Sequence, residues 1–119
     1  MPSSTISTHV TAGITLQAPT FYSPLTITAT GSVDSGTSSS AIYGPTAGAS
    51  ITNYGTVSSA AKIGIDLIAG GTVSNQLGGV ITGSSDGVVI AGASGTVVNA
   101  GTITVPAARR SRSAHRITG

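Results

Sequence analysis

Short apolar and polar stretches alternate along this chain, and one pattern keeps returning at a nearly constant spacing. It reads ITATGSV from Ile27, ITNYGTV from Ile51, VSNQLGGV from Val73 and VVNAGTI from Val97, with starts 24, 22 and 24 residues apart. The closing apolar positions Val33, Val57, Val80 and Ile103 are 24, 23 and 23 apart, so a one-residue insertion near Leu77 is absorbed locally. A weaker copy, VTAGITL, starts at Val10. Within each copy Ile or Val alternates with Thr or Ser, the period of two that turns one face of a strand inward and the other outward.

Each period holds a second apolar segment: AIY from Ala41, IGIDLI from Ile63 and GVVIAG from Gly87. Between the segments lie SGTSSS, YGPTAGAS and AGASG, whose Gly, Ser and Pro are turn formers. A period of about 23 residues with two or three short strands predicts one coil of a parallel β-helix. The expected fold is therefore all-β, a β-solenoid of about four coils. Residues 1–9 form a lead-in, 10–105 the repeats and 106–119 a basic tail without fixed structure.

In such a stack each coil hydrogen-bonds to its neighbours at about 4.8 Å, and equivalent side chains lie over one another. The alignment predicts an aliphatic ladder of Ile27, Ile51, Val73 and Val97, and another of Val33, Val57, Val80 and Ile103. A third ladder, of Asn53, Asn75 and Asn99, is expected at a corner, where asparagine accepts a left-handed backbone and bonds along the stack. Gly31, Gly55, Gly78 and Gly101 are expected to supply positive φ at the same corner.

The motifs ITNYGTV, VSNQLGGVITG and VVNAGTI, each followed by a Gly/Ser-rich turn and an apolar strand, resemble the I-x-N-x-G-x-I repeats of bacterial autotransporter passengers and related adhesins. The resemblance covers roughly residues 10–105. It implies a piece of a long β-helical passenger, displayed outside the cell or at its surface, in a family that also carries a signal peptide and an outer-membrane barrel. Met1–Thr11 lacks the basic and apolar regions of a signal peptide. The change to PAARRSRSAHRITG fits no further coil, and a reading-frame shift or a junction would produce such a break.

Composition sharpens the fold and narrows the chemistry. Charged residues are 7% and aromatics 3% of the 119 residues, yet mean hydropathy is +0.34, which separates the chain from disordered sequences. The 17 glycines argue against helices. Residues 1–108 hold Lys62 against Asp34, Asp66 and Asp86, whereas Arg109, Arg110, Arg112 and Arg116 make the tail basic. The uncharged stretch 87–108 is interrupted by glycines and Asn99, so two strands and a turn are expected there rather than a membrane span.

Catalytic signals are sparse. The chain contains no cysteine and no glutamate, and its three aspartates fall at different offsets within the period, as expected of turn or solvent-facing residues. Ser85 in GSSDG matches G-x-S-x-G, but in a solenoid turn rather than the strand-to-helix elbow that motif requires. His9 and His115 lie at opposite ends, and the calcium-binding G-G-x-G-x-D pattern does not occur. No catalytic, cofactor or metal residues are expected.

The expectation is a non-enzymatic structural or adhesive segment, with glycans or proteins of a host or neighbouring cell as partners. Alternatives are a fragment of a carbohydrate-active β-helix enzyme and a solenoid that self-associates end to end. The arginine tail adds nucleic acid as a lesser candidate partner.

Overall fold

The computed structural model describes residues 3–17, 21–35, 40–60 and 62–104. Its first coil supplies β1 (Ser4–Ile6), β2 (His9–Val10) and β3 (Ile14–Thr15), and its second β4 (Leu25–Ile27), β5 (Ser32–Asp34) and β6 (Ile42–Gly44). The third coil supplies β7 (Ala49–Asn53), β8 (Thr56–Ser58) and β9 (Ile63–Leu67). The fourth supplies β10 (Gly71–Asn75), β11 (Val80–Thr82) and β12 (Asp86–Ile90), and β13 (Gly95–Asn99) and β14 (Thr102–Thr104) begin a fifth.

All pairings are parallel. The first sheet runs β1-β4-β7-β10-β13, the second β2-β5-β8-β11-β14 and the third β3-β6-β9-β12. Parallel neighbours cannot be joined by a tight hairpin, and here the other two faces of the coil carry the chain round to the next level. The protein is thus an all-β parallel solenoid of about four turns with a spacing near 23 residues. No helix among the described residues is long and apolar enough to cross a membrane. The described part of the uncharged stretch, residues 87–104, contributes to β12, β13 and β14. The tail from residue 106, with its four arginines and His115, lies outside the described residues.

One long aliphatic column per sheet runs through the interior, with Leu67 stacked on Ile90 beside the third. Leu25, Ile51, Val73 and Val97 stack on the first sheet. Val10, Val33, Val57, Ile81 and Ile103 stack on the second, and Ile14, Ile42, Ile65 and Val88 on the third. Leu25, Ile51, Val73, Val33, Val57, Ile81, Ile42, Ile65 and Val88 are fully buried. Each such side chain contributes about 1.5–3 kcal/mol of hydrophobic stabilisation, which explains how a chain with so few aromatics closes a core.

The register corrects three sequence expectations. Ile27 sits over Ile6 and under Asn53, and Leu25 takes the place beside Ile51 expected for it. Val80 points away from the interior column and pairs with Thr56 and Thr102, while its neighbour Ile81 joins Val57 and Ile103. The cause is the size of the insertion. Asn75 to Ile81 spans 81 − 75 = 6 positions against 57 − 53 = 4 from Asn53 to Val57, so two residues are accommodated rather than one. They bulge outward, leaving Leu77 86% exposed. The stack also begins earlier than expected, at Ser4, and the VTAGITL segment contributes to the second and third sheets rather than the first.

Asn53, Asn75 and Asn99 stack in register inside the coil, and the first two are almost completely buried. Asn53 Nδ2 donates to Asn75 Oδ1 at 2.9 Å, and Asn75 Nδ2 to Asn99 Oδ1 at 2.9 Å. Each amide also serves the backbone. Asn53 Nδ2 reaches the carbonyls of Gly55 and Val80, both at 3.2 Å, and its Oδ1 accepts from the Gly55 N–H at 3.1 Å. Asn75 Nδ2 reaches the carbonyls of Gly79 and Thr102, both at 3.1 Å. The asparagines thus satisfy the corner backbone from within, and no non-glycine residue among those described has positive φ.

The corner glycines act differently from expectation. Gly78 does have φ +87°, in open space at the bulge. Gly31, Gly55 and Gly101 do not, and Gly79 rather than Gly78 occupies their stacked position. At Gly55 a Cβ would overlap the carbonyl oxygens of Gly31 and Thr28, so close coil-to-coil approach is what requires glycine there.

Two pairs of substitutions test these assignments by urea denaturation. Gly55→Ala is expected to cost about 2–4 kcal/mol through backbone displacement, and Gly78→Ala only about 1–2 kcal/mol of left-handed strain. Asn75→Leu is expected to cost about 2–4 kcal/mol because buried carbonyls lose their donor. Asn75→Asp places a carboxylate against three acceptor oxygens, which raises its folded pKa above the unfolded value. The folded state then holds more protons than the unfolded one, and stability falls between about pH 3 and pH 7 more steeply than in the unchanged chain.

Candidate functional site

The outer faces of the first two sheets carry hydroxyl rows. Thr5, Thr26, Thr52 and Ser74 are stacked on the first sheet. Asp34, Ser58, Thr82 and Thr104 are stacked on the second, where the hydroxyls of Thr82 and Thr104 lie 3.3 Å apart. These rows follow directly from strand alternation, since each outward position recurs once per coil. His9 sits at the end of a neighbouring outer row and bonds through Nδ1 to the Ser32 hydroxyl.

The third sheet is different. Its outer column runs Thr15, Tyr43, Asp66 and Val89, bringing an aromatic ring and a carboxylate onto adjacent strands. A groove of about 500 Å³ opens here, lined by Thr15, Ser40, Tyr43, Lys62, Ile63 and Asp66 among others. Lys62 reaches it from the corner just before β9, whose strand then delivers Ile63 and Asp66. Residues 1–108 contain four charged side chains, and two of them line this one groove.

The groove combines a half-buried phenol face, an ammonium donor, a carboxylate acceptor and hydroxyls from Thr15 and Ser40. A flat apolar ring flanked by donors and acceptors suits a ligand with an apolar face and a rim of hydroxyls. No site residue was assigned from sequence. The available signal was the 66 − 43 = 23 residue separation of Tyr43 and Asp66, equal to one period.

The three aspartates occupy separate places: Asp34 on the second sheet, Asp66 in the groove and Asp86 at the start of β12. Asp86 is only 6% exposed, which corrects the expectation of a turn or solvent-facing residue. Ser85 lies in the turn joining β11 to β12, its N–H bonded to the Lys62 carbonyl at 3.0 Å. That is a strand-to-strand corner. Among the described residues no three His, Cys, Asp or Glu side chains gather as metal ligands.

Against known proteins, no family model, no curated protein and no solved structure matches this chain.

Proposed function

We propose that this chain is a structural and adhesive segment of an exported β-solenoid, similar to a stretch of autotransporter passenger, which contacts glycans through the groove on its third sheet. The observation that carries this reading is the juxtaposition of Tyr43, Asp66 and Lys62 on an otherwise charge-poor stack of hydroxyl rows. Stacking of a sugar ring on an aromatic face, with hydroxyls bonded to a carboxylate and an ammonium, uses all three side chains. The repeat supplies the rest of the argument, since it holds Tyr43 and Asp66 on paired strands, with Lys62 one residue before β9.

Binding is favoured over hydrolysis because sugar cleavage by paired carboxylates needs two acids flanking the bond, and this groove presents Asp66 alone. Display at a cell surface rests on the repeat motifs and on their resemblance to passenger sequences. Proteins of a host or neighbouring cell are the second partner class, reached through the same hydroxyl-rich faces.

A glycan array followed by titration tests the reading. The full chain is expected to retain a subset of glycans, with Tyr43→Ala and Asp66→Asn each weakening binding about tenfold. Both variants should keep the β-type circular dichroism spectrum of the unchanged chain. Binding that ignores both substitutions, or cleavage of the bound glycan, would contradict it.

A further inference from the structure

The two ends of the stack are unlike. At the N-terminal end Ile6, Ile14 and Leu16 are 5%, 5% and 1% exposed, and Phe21 packs against the same core. Both ends leave strand edges without a partner among the described residues, β1, β2 and β3 at one and β12, β13 and β14 at the other, and the difference between them is burial. Val98 is 55% exposed, and Val97, Asn99 and Ile103, which continue buried columns, are not buried themselves.

The asparagine column shows what is missing. It runs with one polarity, each Nδ2 donating to the Oδ1 of the following coil, from Asn53 to Asn75 to Asn99. Asn99 Oδ1 accepts from Asn75 Nδ2 and from the Gly101 N–H at 3.2 Å. Among the described residues, Asn99 Nδ2 donates to nothing. On its acceptor side the column tolerates an aliphatic neighbour, since Ile27 lies beneath Asn53. On its donor side Asn99 is exposed and water satisfies the amide, whereas a strand that covers it must supply an acceptor in place of that water.

We infer that the β13–β14 edge is a docking surface for one further parallel coil whose strand carries an apolar residue over Val97 and an asparagine over Asn99. The occupant is a protein strand of the pattern apolar-x-Asn-x-Gly-x-apolar, added by parallel strand pairing. The argument is continuity: the β7–β10 and β10–β13 interfaces use the same register and the same Asn-to-Asn bond, and the edge offers that interface once more. A second copy stacked head to tail fits poorly, because it would set Ile6 over Asn99 and leave the Nδ2 donor buried without an acceptor. The inference is independent of whether the third-sheet groove binds a glycan.

The test is an amide NMR titration of the full chain with a synthetic peptide of sequence GTVVNAGTIT, the Gly95–Thr104 segment. Shifts are expected at Gly95–Asn99 and Thr102–Thr104. A peptide with Leu for its Asn should bind about tenfold more weakly, as should the unmodified peptide on Asn99→Leu chain, whose remaining spectrum confirms its fold. The inference is overturned by no shifts at about 1 mM peptide, the affinity range of a weak strand addition. Shifts at Ser4–Ile6 instead, indifference to the peptide's asparagine, or peptide-free dimers that broaden Gly95–Asn99 would overturn it too.

Discussion

Everything in this structure depends on vertical register: one coil must lie on the next so that like side chains meet. Hydrophobic contact excludes a slip of one residue, which would turn the apolar face outward, but a slip of two keeps every Ile, Val and Leu facing inward. The asparagine column excludes that slip. A buried amide left without partners costs about 1–3 kcal/mol, so Asn53, Asn75 and Asn99 hold three coils at one offset. The same amides bond the carbonyls of Gly55, Gly79, Val80 and Thr102, which ties the register to the corner between the first and second sheets.

Glycine follows from that constraint. With the corners pressed together, the carbonyl of one coil occupies the space of a Cβ on the next at Gly55. The corner therefore alternates between a side chain that must bond and a residue that must have none, which is the N-x-G spacing of ITNYGTV and VVNAGTI. A scaffold fixed in this way leaves its outward positions free. Three sheets can then present hydroxyl rows on two faces and a Tyr43–Asp66–Lys62 groove on the third without disturbing the interior.

The period, the parallel solenoid and the in-register asparagines were legible because each repeats several times and any single error is outvoted. Register within a copy was less legible. In GGVIT both Val80 and Ile81 are apolar, and only the true length of the bulge at Leu77 and Gly78 decides which one turns inward. Ile27 lies two places from Leu25, and the two are interchangeable by pattern because a shift of two preserves the strand's alternation. The groove stayed hidden for another reason. Lys62 belongs to a corner and Tyr43 to a short strand, and their proximity is created by the third sheet rather than by any local motif.

The most direct measurement of the central claim is side-chain carboxamide hydrogen exchange by NMR on the full chain. The account predicts that the Nδ2 protons of Asn53 and Asn75 exchange slowly, at rates that follow unfolding of the stack, while those of Asn99 exchange as an exposed amide does. Fast exchange at all three would mean that the amides do not bond along the stack, and the register would have to be explained without them.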